Sequence, residues 1–118
     1  MDDFFLKAET DHAAVEHVKK IIHGRADLVE EYRRLITSLD DSDPGKWKQI
    51  IAAAREAGLT KDELCREFSC SWSTILRWEA GRNAPGPFAR KAMKGRLLEM
   101  LVALRELELR RSQELVPA

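Results

Sequence analysis

At 118 residues, 44% of them hydrophobic, the chain is sized for one domain, or for one small domain with helical extensions. Its 20 Lys/Arg balance 20 Asp/Glu, and no apolar run is long enough to span a bilayer, so a soluble globular protein is predicted and a membrane protein excluded. No charged-then-apolar-then-small pattern opens it, so no secretion signal is read, and two cysteines fit a reducing, cytoplasmic home.

Clusters at Asp43-Pro44-Gly45 and Ala84-Pro85-Gly86-Pro87 divide the chain into residues 1–42, 43–86 and 87–118. In the first part Phe4, Phe5 and Leu6 form an apolar tip expected to tuck onto a neighbour. A long amphipathic helix over about 11–39 follows. Val15, Val18, Ile22, Val29, Tyr32, Ile36 and Leu39 recur at alternating three- and four-residue steps, once Arg25 fills one gap. Ile21, Leu28 and Leu35 widen the stripe so that it suits more than one neighbour. Gly24 weakens the middle, where a break could fall.

The middle part opens with Asp43 as a cap and Pro44 at the first helical position. Trp47, Ile50, Ile51 and Ala54 give its first helix an inner face, and Gly58 closes it. Thr60 and Glu63 then spell a capping box, with Leu59 and Leu64 at the two places of a hydrophobic staple. The second helix runs from Lys61 to Phe68 and is expected to bury Leu64, Cys65 and Phe68. After the short turn Ser69-Cys70-Ser71, Ser71 caps a third helix over 72–80, which Gly81 can close in a left-handed conformation. Ile75 and Trp78 fix its inner face. Trp72, Ser73, Leu76 and Arg77 are left on or beside the outer one.

The last part carries one helix from Pro87 to about Arg111. Met93, Leu97, Met100, Leu104 and Leu107 keep a four-three spacing, with Phe88, Leu98 and Leu101 on its shoulder. No run alternates apolar with polar, so no strand is expected and the fold class is all-α.

Gly58-Leu59-Thr60, Glu63-Leu64, Ser71, Ser73-Thr74-Ile75, Arg77-Trp78-Glu79 and Gly81-Arg82 together resemble the Cro/phage-repressor (XRE-type) DNA-binding family, over roughly residues 46–98. The resemblance implies a helix–turn–helix domain of lambda-repressor-like type, here with long N- and C-terminal helices, whose third helix enters the major groove of double-stranded DNA. It implies base contacts from Trp72, Ser73 and Arg77, and phosphate contacts from Lys61, Ser71, Thr74, Arg82 and Asn83. Arginine can fork onto guanine O6 and N7, and serine can bond several bases. Trp72 can lie against a thymine methyl or fold back onto the domain. Two positions depart from the family pattern: Ser69 replaces the turn glycine, and Ala54 stands where the family has arginine, with Arg55 one place late. The second departure tells against the buried Arg–Glu pair that the family would build onto Glu79.

Divided along the chain, the neutral total separates into unlike parts. Residues 1–45 hold 6 Lys/Arg against 11 Asp/Glu, residues 46–96 hold 11 against 5, and residues 97–118 hold 3 against 4. Positive charge gathers where phosphate contacts are expected. No glycine-rich phosphate loop or nucleophile motif argues for an enzyme. Cys65, Cys70, His12, His17 and His23 lack metal-ligand spacing, so no metal or cofactor is expected. The reading is a sequence-specific transcriptional regulator, most simply a dimeric repressor. The alternative is an interaction module whose long apolar helices hold a protein partner, or an antitoxin or co-regulator that binds DNA while its N-terminal helix holds the partner. Long terminal stripes predict a homodimer, and the competing arrangement is a hairpin of the two terminal helices within one chain.

Overall fold

A computed structural model describes residues 11–114, with side chains from residue 24 onward; the Phe4-Phe5-Leu6 tip and the side chains of Val15, Val18, Ile21 and Ile22 lie outside the described residues. The described chain is all-α and contains no strand. Its helices are α1 (Asp11–Ser38), α2 (Trp47–Ala57), α3 (Lys61–Phe68), α4 (Trp72–Glu79) and α5 (Arg90–Glu114), with a 3-10 turn at Pro44–Lys46. No described helix is long and apolar enough to cross a membrane.

Helix α1 passes through Gly24 without a break. Its buried stripe is Ala26, Val29, Ile36 and Leu39, so the gap expected at Arg25 is filled by Ala26 instead. Arg25 keeps 60% of its side chain exposed and reaches Glu108 of α5 at 3.5 Å. A charge pointed into the seam would lose its hydration, whereas an alanine lets the helices approach. Leu28 and Leu35, at 42% and 44% exposure, remain open to solvent, so the second neighbour expected for them is absent among the described residues.

The link to α2 is fixed by local bonds. Asp40 accepts from the backbone N–H and the hydroxyl of Ser42, which hold its carboxyl below the ordinary range. Asp43 accepts from Gly45 N and caps the Pro44 turn, which feeds straight into α2. Trp47 is fully buried, and its indole N–H is satisfied by the Asp41 carbonyl at 2.9 Å. Ile50, Ile51 and Ala54 are buried below it, as their spacing predicts.

α5 folds back antiparallel to α1. Lys94 donates to the carbonyls of Leu39 (2.6 Å) and Thr37 (3.2 Å), where α1 ends and its unpaired carbonyls favour a cation. Arg90 donates to Ser42 and Pro85 carbonyls beside them. At the far end lies the Arg25–Glu108 pair. Between these ends Leu97 and Leu101 are fully buried, while Phe88 and Leu107, read as part of the same apolar surface, are exposed. The terminal helices therefore cover one another within the chain. The three-part division of the sequence does not divide the core, because one cluster joins Val29 and Ile36 of α1, Ile50 of α2, Leu64 of α3, Ile75 of α4 and Leu97 of α5.

Candidate nucleic-acid interface

Two short helices and the turn between them are built almost wholly by local bonds. Thr60 Oγ1 accepts from Glu63 N, and Glu63 Oε2 accepts from Thr60 N, which completes the capping box. Leu59 and Leu64 both lie in the core beneath it. Ser69 then adopts φ 51° and ψ 47°, the left-handed conformation that glycine would take more easily, and the Cys70 N–H reaches the Cys65 carbonyl at 3.1 Å. Cys65 and Cys70 are free thiols, both half-buried, as is Phe68. Burial first, then the neighbouring Cys65 thiol, push the Cys70 thiol above its ordinary range.

Helix α4 starts at Ser71, whose hydroxyl accepts from Thr74 N, and ends with Gly81 at φ 74°. Gly81 N bonds the Trp78 carbonyl and Arg82 N bonds the Arg77 carbonyl, the paired closure of a Schellman cap. Ile75 and Trp78 are buried, so the helix can roll neither way, and the opposite face is fixed outward. Arg55 also donates to Glu79, so the pair that the shifted arginine told against is present. Arg55 lies on the flank of α2 next to the buried Ala54, and its long side chain makes up the single-residue offset.

Ser73, Leu76, Arg77, Ala80 and Arg82 border one shallow depression on the outer face. Arg77 Nη2 donates to Thr74 Oγ1 at 3.3 Å, and the Ser71 hydroxyl shares bonds with Ser73 (2.9 Å) and Thr74 (3.1 Å). Arg82 and Asn83 follow, exposed, just past the cap. Trp72 is 54% exposed but folded back: its indole N–H donates to Asp62 Oδ1 at 2.9 Å, and Lys61 Nζ stands 5.1 Å from the ring centroid. Of the eight residues singled out from the sequence, Ser71, Ser73, Thr74 and Arg77 form one bonded strip. Lys61 and Trp72 form a second group, and Arg82 with Asn83 a third at the other helix end.

Lys48 was missed by sequence reasoning. A Cβ added to Gly81 would meet Lys48 Cδ at 3.1 Å, so this exposed lysine lies across the cap of α4, next to Arg82. Only the packing of α2 on that cap brings it there; the charge count over 46–96 was the one hint. Arg90 and Lys94 belong elsewhere, spent on carbonyls at the end of α1, and Arg96 is held by Glu67 at 2.8 Å. Among the described residues no cluster of three or more His, Cys, Asp or Glu could hold a metal ion.

Comparison with protein-family models, with curated proteins and with solved structures found no match.

Proposed function

We propose that this protein is a sequence-specific, double-stranded-DNA-binding transcriptional regulator of the helix–turn–helix type, a repressor working in the cytoplasm that reads the major groove with α4. The observation that supports it is the outward strip of Ser73 and Arg77, held rigidly by the buried Ile75 and Trp78 and flanked by Lys48, Lys61 and Arg82. A guanidinium and a hydroxyl on one helix face can bond base edges, and cations at both helix ends can contact flanking phosphates. Selection of binding sites from random duplexes, followed by sequencing, is the direct test; recovery of no enriched motif would end the reading.

A homodimer follows from the same proposal, because two copies of α4 about 34 Å apart would read a two-fold site. Leu97 and Leu101 are consumed inside the chain, so the exposed Leu28 and Leu35 of α1 offer the seam. Sedimentation of the protein with and without Leu28→Glu tests it, a monomer at tens of micromolar counting against it.

The second reading, an interaction module or co-regulator, is favoured by an open groove between α3 and α5, its floor of Leu59, Met100, Ala103, Leu104 and Leu107 bordered by charged residues such as Glu63, Arg66 and Glu99. Apolar grooves of this kind accept helices of partner proteins. A failed site selection would move the weight to this reading.

A further inference from the structure

At the N-terminal ends of α3 and α4 three side chains hold one another. Trp72 donates its indole N–H to Asp62, the ring faces the Lys61 ammonium at 5.1 Å, and Lys61 itself is half-buried. A tryptophan has one hydrogen-bonding group, its N–H, and here Asp62 occupies it. The ring quadrupole attracts the ammonium and restricts a side chain that otherwise has many rotamers. Lys61 is thereby restrained at the N-terminal end of α3.

We infer that Trp72 is a positioning residue, which sets Lys61 for a phosphate contact and reads no base, with Asp62 as its anchor. This rests on the DNA-binding reading above. It assigns Trp72 a role distinct from that of Ser73 and Arg77, which lie further along the same face. The contribution of Trp72 to binding then passes through Lys61 and is the same on every sequence.

Two measurements test the inference, and one needs no DNA. The three tryptophans give three indole N–H signals in a nitrogen-15 spectrum, and Trp72→Phe identifies the one that matters. Asp62→Ala is expected to shift that signal and hasten its exchange with water, leaving those of Trp47 and Trp78 in place. A Trp72 N–H that ignores Asp62→Ala would overturn the clamp. On DNA, Trp72→Ala is expected to weaken binding about twofold to fivefold, the scale of an exposed cation–π contact, equally on selected and scrambled duplexes. Trp72→Phe, which keeps a ring under Lys61, should retain most of the affinity. The double variant Lys61→Ala/Trp72→Ala should bind no more weakly than Lys61→Ala alone, because non-additive losses mark residues that act together. Relaxed preference at one base in Trp72→Ala, or fully additive losses, would overturn the positioning role. If the unmutated protein and Arg77→Ala are equally inert on all duplexes, the DNA-binding reading fails and takes this role with it. The indole signal distinguishes that outcome from a missing clamp.

Discussion

Arg55 and Glu79 are joined across the packing of α2 on α4, each from the last turn of its helix, with 31% and 26% of their side chains exposed. The pair ties the end of the outward-facing helix to the helix beneath it. Partial exposure limits its strength, and removing one partner leaves the other incompletely hydrated. Glu79→Ala and Arg55→Ala should each cost about 1 kcal/mol in denaturant melts, with a coupling near that value in the double variant. Zero coupling would show the two groups to be independent.

Ser69→Gly should stabilise the protein by about 1 kcal/mol, since a side chain in the left-handed region carries a steric cost that glycine avoids. Ser69 is exposed at φ 51°, and its hydroxyl makes no bond among the described residues, so little is lost in exchange. A rise in Tm of a few degrees is the expected result. Ser69→Val should do the reverse.

Trp78→Ala should cost roughly 3–5 kcal/mol by leaving a cavity under α4, and Thr60→Ala roughly 0.5–2 kcal/mol by orphaning the Glu63 N–H. The ratio matters more than either figure. Equal losses would contradict the burial of Trp78, which is 7% exposed.

Binding to a selected duplex should respond differently to two cations. Arg77→Ala should cost roughly 1–3 kcal/mol and relax preference at one base pair. Lys48→Ala should weaken all duplexes alike and lower the slope of log affinity against log salt by about one unit. Fluorescence anisotropy over a salt series separates these behaviours.

Acid should weaken the fold over a defined window. Hydrogen bonds from Arg33, above all, lower the Glu30 carboxyl to about 2, and Arg96 acts in the same direction on Glu67. Carboxylates depressed in the folded state stabilise it above their unfolded pKa, about 4.3, and lose that effect as the pH falls towards the folded value. The denaturant midpoint measured between pH 6 and pH 2 should fall modestly through this window, less steeply in Glu30→Gln and in high salt.

What was legible in the sequence is what short-range bonding decides. Thr60, Ser71 and Gly81 each cap the helix end assigned to them, and Asp43 caps the 3-10 turn that leads into α2, because a cap involves residues only two to five apart. Inner faces of α2 and α4 followed from spacing alone. The partner of each long stripe did not, since periodicity says that Leu97 and Val29 are covered and never by what. The phase of α1 slipped by one residue for a related reason: an arginine and an alanine side by side fit the stripe equally until α5 lies against it. Glu108, 2% exposed between Arg25 and Arg111, breaks the rule that charges stay outside and had no sequence signal. The Arg55–Glu79 pair was not legible either, because register along the chain does not report how far an arginine side chain reaches.

Gly58 sits where the end of α2 meets the long return helix, at φ 126°, with Leu104 Cδ2 only 3.2 Å from where a Cβ would be. Backbone and neighbour thus both disfavour a side chain here, for unrelated reasons. Relief of one obstacle leaves the other standing: trimming Leu104 to alanine opens space but does not make the dihedral comfortable for an L-residue. A library randomised at position 58 should favour glycine even in a background of shortened Leu104, which narrows what evolution can place at this corner.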